Sequence, residues 1–189
     1  MPTGVALRDV RQQLFTAAER ILLRDGPGAL TSRAVTAEAG VAKGVLHRYF
    51  ADFDAFLVEL VQDRAVTQQG VLLGREGTGT VAGNLADVLS VLFGSVALAM
   101  VNLITARDEL RARLRAAGMS GVPLLGEAKA LLADYLTGEQ LAGRLSPTAD
   151  VDTIALTLIG AGHLLFAGRD GLPPPRAEVD RLIAATLGG

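Results

Sequence analysis

The sequence predicts an all-α chain in two parts, an N-terminal three-helix helix-turn-helix unit and a larger helical domain behind it. Three observations predict this. Apolar residues recur at helical spacing in segment after segment. No stretch alternates for long enough to suggest a sheet. Near the N-terminus, two short helical segments are joined by a tight glycine turn. Half of the 189 residues are apolar, which argues for a sizeable core in one or two domains and against disorder.

The elements follow in order. From Arg8 to Arg24, Phe15, Ala18, Ile21 and Leu22 recur at helical spacing, and Asp25-Gly26-Pro27-Gly28 ends the helix. At Leu30-Thr31 a second helix begins: Thr31 is a capping residue, and Leu30 and Val35 occupy the two positions of a hydrophobic staple. Ala39-Gly40-Val41 breaks it after about two turns, with Gly40 free to take positive φ. A further short helix is expected from about Ala42 to Phe50. Asp52 then caps a longer one running through Phe56, Leu57, Leu60 and Val61 toward Gln69. Breaks at Gly74–Gly79, Gly118–Pro123, Ser146–Thr148 and Gly168–Pro175 leave helical stretches near 80–106, 107–117, 123–136, 149–167 and 176–187. This gives an expected division into 1–51, the helix-turn-helix domain, and 52–189, the helical remainder.

Composition narrows the function classes. Cysteine is absent, which excludes a disulfide framework, thiolate metal sites and a cysteine nucleophile. The N-terminus carries Arg8, Asp9 and Arg11 and has no apolar signal core, so a cytoplasmic protein is expected. The net charge of −2 conceals a segregation. Residues 1–51 hold seven basic groups and four acidic ones, net +3, and the rest of the chain totals −5. A basic N-terminal third on an acidic body is the pattern expected if only that third meets phosphate.

Val88 to Ala106 is a stretch of 19 residues without a charge, long enough to cross a bilayer as one straight helix. It contains Ser90, Gly94, Ser95, Asn102 and Thr105 and lacks flanking Lys/Arg asymmetry and aromatic belts, which disfavours a membrane span. A helix apolar all round is otherwise a buried one, and a natural wall for an internal pocket.

On its outward face the third helix offers Lys43, His47 and Arg48, with Gly44 allowing close approach of the backbone. Spacing alone fits a DNA-reading helix-turn-helix and a plain αα-hairpin with a solvated polar face equally well. The residues Leu30-Thr31-Ser32-Arg33, then Ala39-Gly40-Val41-Ala42-Lys43-Gly44-Val45-Leu46-His47-Arg48-Tyr49-Phe50, then Ala51-Asp52-Phe53-Asp54-Ala55-Phe56-Leu57 shift that balance. From about Arg11 to Val61 the chain resembles the TetR (tetracycline repressor) family. The resemblance implies a dimer on palindromic operator DNA, a C-terminal ligand-binding domain and no enzymatic activity. It also implies DNA contacts by Thr31, Ser32 and Arg33 at the start of helix two and by Lys43, Gly44, His47 and Tyr49 around helix three, to which the outward face of that helix adds Arg48. Three positions depart from the family pattern. His47 stands for the usual tyrosine, Phe53 for the usual phosphate-contacting lysine, and Ala42 for a frequent capping serine. Of the first two, His47 can still donate to a phosphate oxygen and Phe53 cannot.

The expected function is therefore a ligand-responsive transcriptional regulator, with repression as the default sign. The alternative is a helical ligand-binding or enzymatic protein whose helix-turn-helix is vestigial. The expected partners are double-stranded operator DNA, a small and largely apolar effector, and a second copy of the chain. For the effector, the candidate residues are Phe93, Asn102, Thr105 and His163, although for each of the three polar ones the simpler reading is a group that satisfies its own neighbourhood. For the dimer, the apolar residues of 149–167 and of the last helix nominate Leu156, Ile159, Leu182 and Ile183. No catalytic motif, paired-His metal spacing or dinucleotide glycine signature occurs, so no cofactor and no metal are expected.

Overall fold

The computed structural model describes residues 4–71, 74–119, 121–167, 169 and 172–188, with side chains from Val10 onward. The side chains of Arg8 and Asp9, and Ser120, Gly168, Asp170 and Gly171 from two expected breaks, lie outside the described residues. The described chain is all-helical: α1 (Gly4–Asp25), a single 3-10 turn (Pro27–Ala29), α2 (Ser32–Glu38), α3 (Val45–Tyr49), α4 (Phe53–Gln69), α5 (Val81–Leu92), α6 (Ser95–Ala106), α7 (Asp108–Ala116), α8 (Leu125–Leu141), α9 (Val151–Ala167) and α10 (Arg176–Leu187). Two compact units result. One comprises residues 1–63 and 99–118, the other 64–98 and 119–189.

In the first unit Leu14, Phe15, Ala18, Ile21 and Leu22 of α1 are buried, as are Leu46 and Phe50 around α3 and Phe56, Leu57 and Leu60 of α4. Three rings close on one another at its centre: Phe15 lies 6.0 Å from Phe50 and 5.6 Å from Phe56, and Phe50 meets Phe56 edge-on at 5.0 Å. Both ends of α2 are capped as the sequence predicts. Thr31 Oγ1 accepts from the Ala34 amide at 3.2 Å, and the two staple residues Leu30 and Val35 are fully buried. After α2, Gly40 takes φ +67°, and the amides of Gly40 and Val41 donate back to the carbonyls of Ala37 and Thr36 at 3.1 and 3.0 Å. This is a Schellman turn, which needs a left-handed residue at that point. The next helix is shorter than expected. Ala42–Gly44 form a turn without a capping side chain, and regular helix begins only at Val45.

The packing boundary differs from the expected one at residue 52. The first unit takes in the start of α4, because Asp52 caps it by accepting from the Ala55 amide at 2.6 Å, and it takes in residues 99–118. That segment is bound to it by Arg113, whose Nη1 lies 3.0 Å from both carboxylate oxygens of Asp52, and by Arg107, whose Nη2 donates to the Leu30 carbonyl at 2.9 Å. The Ala55 amide first, and Arg113 next, hold the Asp52 carboxyl below the usual carboxylate range.

In the second unit the core is shared by α5 (Leu85, Val88, Leu89, Leu92), α8 (Leu132, Tyr135, Leu136), α9 (Ala155, Leu158, Ile159, Phe166) and α10 (Val179, Ile183). The expected stretch 80–106 is two helices, interrupted at Phe93–Gly94, and no single described helix is long and apolar enough to cross a membrane. Helix α8 extends beyond the expected end at 136 to Leu141. Its last turns carry Glu139, which is fully buried, ion-paired at 2.9 Å with Arg144 Nε and accepting from the Gly77 amide at 3.2 Å. Tyr135 sits beside it, and burial pushes its phenol up to about 12.

The Schellman turn yields a test. A β-branched side chain is strained at positive φ, so Gly40→Val is expected to destabilise the first unit by about 1–2 kcal/mol, read as a lower denaturation midpoint. An unchanged midpoint would remove the left-handed turn from the account.

Candidate DNA interface and effector cleft

What the first unit shows to solvent follows from how little α3 can do for itself. Its five residues close barely one turn, so external groups hold it. From below, Leu46 and Phe50 anchor it in the core. From α1, Arg11 lies with its guanidinium 4.6 Å from the Phe50 ring centroid, donates to the Tyr49 carbonyl at 3.5 Å and ion-pairs with Glu59 of α4. Gln13, two residues further along α1, donates to the Ala39 carbonyl at 2.9 Å and so fixes the end of α2.

Held this way, the two short helices present a coherent polar surface. Arg33, Lys43, Gly44, His47 and Arg48 are exposed together with Thr31, while Ser32 and Tyr49 are half-buried. Thr31 is occupied as a cap, with its hydroxyl accepting from Ala34, and its lone donor remains for a phosphate oxygen. Phe53 is a packing residue, as its apolar ring requires: it stacks on Phe56 at 5.6 Å with an interplanar angle of 21°. Sequence reasoning missed Arg11, Arg107 and Arg113 as the groups that fix this surface. Only the surplus of arginine around 107–115 hinted at them, and nothing in the spacing named their partners.

Residues 14–60 match the family model for bacterial regulatory proteins of the tetR family. Over this segment the chain is similar to the N-terminal domain of the TetR family. The TetR-type fold extends over the rest of the chain as well. FadR from Bacillus halodurans, a fatty acid degradation regulator, is 18% identical with a TM-score of 0.72, over 100% of this chain and 98% of that one. FadR from Bacillus subtilis, solved in complex with stearoyl-CoA, gives the same identity and TM-score over 94% of this chain and 98% of that one. A TetR-family transcriptional regulator from Haemophilus influenzae is 16% identical with a TM-score of 0.67, over 97% of each chain. No curated protein matches the chain. Identities of 16–18% carry the fold and leave the ligand open.

In the second unit of this TetR-type fold, a cleft of about 190 Å³ is lined by Ser90, Phe93, Gly94, Ser95, Leu98, Phe166, Leu172 and Pro173. Its floor is Phe93, packed 5.6 Å from Phe166 and 6.0 Å from His163. The sequence-nominated effector residues divide here. Phe93 and His163 come together, and His163 Nδ1 is buried without a partner among the described residues. Asn102 and Thr105 do not join them: both are exposed in the first unit, and the Thr105 hydroxyl donates to the Val101 carbonyl at 2.8 Å. Helical periodicity alone could not say which side of an apolar helix faces inward. The dimer candidates divide similarly. Leu156 is exposed and Leu182 half-buried, whereas Ile159 and Ile183 lie in the chain's own core, 4% and 0% exposed, where a partner cannot reach them.

Gly162 fixes the floor of the cleft. A Cβ there would lie 2.7 Å from Phe93 Cε2, so the ring packs directly on the α9 backbone. Gly162→Ala is expected to displace Phe93 and cost about 1–3 kcal/mol through overpacking. A melting temperature equal to that of the wild type would contradict this packing.

Proposed function

We propose that the protein is a ligand-responsive transcriptional regulator, a repressor by default, that binds palindromic operator DNA as a homodimer and is released by a small, largely apolar effector. The observation that carries the reading is the coincidence of the tetR-family match over 14–60 with an exposed cation set, Arg33 on α2, Lys43 in the turn that follows and Arg48 on α3. Cations on two short helices and on the turn between them suit phosphate oxygens and major-groove base edges. In a dimer the two recognition helices would stand about 34–36 Å apart, one DNA turn.

The dimer reading draws on α9 and α10. Leu156 and Leu164 are 63% and 76% exposed on one side of α9, with Gly160 between them and open space above its backbone. A shallow groove between the helices, lined by Ala161, Leu164, Leu165 and Leu182 and rimmed by Glu178 and Arg181, continues that side. A helix pair with such a face suits a four-helix interface.

The cleft beside Phe93 suits the effector. Its walls are apolar, and Ser90 and Ser95 replace Asn102 and Thr105 as the polar minority. Its volume of about 190 Å³ is below the roughly 300–1,000 Å³ usual for ligand sites. That favours a small molecule over a long-chain thioester such as the stearoyl-CoA in the Bacillus subtilis structure. Binding there, by preferring one separation of the two DNA-reading units over the other, would shift the equilibrium away from DNA.

DNA binding is tested by selecting duplexes from a random-sequence pool. The protein is expected to enrich a palindrome and to lose affinity steeply with salt, and Arg33→Ala and Lys43→Ala each to weaken binding by about 1–3 kcal/mol. No preference over bulk competitor would end the regulator reading. For the dimer, analytical ultracentrifugation of Leu156→Arg and Leu164→Arg should show folded monomers, whereas Ile159→Arg should unfold the second unit. Two exposed-leucine variants that remain dimeric would place the interface elsewhere.

A further inference from the structure

Within residues 99–118 the charged side chains mostly satisfy one another. Arg111 pairs with Asp108, and Arg113 with Glu109 and Asp52. Arg107 is different. It is half-buried, and among the described residues no carboxylate pairs with it; it meets the Leu30 carbonyl, reached by Nη2 at 2.9 Å, and the face of Phe53, 5.7 Å from the guanidinium. A partly buried cation without a counter-ion is costly, and a carbonyl and an aromatic face offset only part of that cost. Its position gives the arrangement a use. Leu30 is the residue immediately before Thr31, Ser32 and Arg33, the proposed contacts at the entrance to α2, and Phe53 opens α4 with a side chain that cannot bind an anion.

Building on the DNA-binding reading above, we propose that Arg107, contributed by the α6–α7 junction far outside the helix-turn-helix sequence, completes the DNA-contacting surface. With one donor on Leu30 fixing the α2 entrance, its remaining guanidinium donors supply a positive charge for a DNA phosphate at the place where Phe53 supplies none. The phosphate is then the counter-ion that the protein itself withholds from Arg107. A guanidinium held on an aromatic ring at the start of α4 thus takes the place of a cation at that position.

The test is a salt series of DNA affinity, using a duplex that the wild-type protein enriches from a random-sequence pool. Arg107→Gln is expected to weaken binding about tenfold and to make the slope of log affinity against log salt shallower by about 0.9, the signature of one lost phosphate contact. Arg107→Lys, which keeps the charge, should keep the slope even if the fork geometry is lost. In the Arg107→Gln background, Phe53→Lys should restore the slope. Affinity and slope both equal to wild type in Arg107→Gln would overturn the proposal. So would weaker binding at unchanged slope, which would leave Arg107 a holder of α2 only. Should Arg107→Gln melt too early to assay, Arg107→Lys decides, because a shallower slope there contradicts a role for the charge. A wild-type protein that enriches no duplex would instead bring down the DNA-binding reading itself, and this inference with it.

Discussion

The N-terminal unit depends on a helix that is too short to be stable alone. A single turn gains almost no hydrogen bonds for the conformational freedom it gives up, so α3 exists only because neighbouring elements define its path. The cluster of Phe15, Phe50 and Phe56 does most of this, since it joins α1, the end of α3 and α4 through rings between 5.0 and 6.0 Å apart. Phe50 belongs to that cluster and also lies 4.6 Å from the Arg11 guanidinium, so the residue that terminates α3 is fixed by both apolar and cationic neighbours. The positions of Lys43, His47 and Arg48 are consequences of that anchoring.

The second unit solves a different problem. Its apolar helices need no help to associate, but the loop before α5 must be satisfied where it crosses the end of α8. Asn84, Tyr135, Glu139 and Arg144 do this as one network. Asn84 Nδ2 donates to the carbonyls of Arg75 and Thr78 and to the Tyr135 hydroxyl, at 2.9 to 3.1 Å, while Arg144 donates to the carbonyls of Thr78 and Gly79 at 2.9 Å. A carboxylate with no solvent exposure is tolerable only with such partners. Removing Arg144 alone would leave Glu139 as an uncompensated buried charge, a costlier change than removing both. The same loop is tied on its outer side by Arg75 to Asp87, which Arg176 of α10 also holds, so α5, α10 and the loop share one surface ion cluster.

What was legible in the sequence was local. Thr31, Gly40 and Asp52 act through bonds to residues three or four positions away, so their spacing was sufficient to assign them. The short helices around Gly40 were legible because several such local signals coincide there. What the sequence concealed was orientation in helices that are apolar on every side. In α9, Leu156 and Ile159 are equally hydrophobic and three positions apart, yet one is exposed and the other buried; composition cannot separate them. Asn102 and Thr105 were nominated for the same reason, from a helix whose inward side no periodicity marked. Contacts across long separations were equally hidden: Arg107 to Leu30 spans 77 positions and Arg113 to Asp52 spans 61.

Those two long-range contacts bear on how the chain is organised. Helix α6 begins at Ser95 with residues that pack in the second unit and ends at Ala106 with residues that pack in the first. The junction that follows carries Arg107, and α7 carries Arg113, each bonded to a residue at a helix entrance of the first unit, Leu30 two positions before α2 and Asp52 immediately before α4. Both arginines act on helix entrances, where a small displacement changes the direction of the whole following helix and where backbone groups are otherwise least satisfied. The cleft residues Gly94, Ser95 and Leu98 lie in the break before α6 and in its first turn.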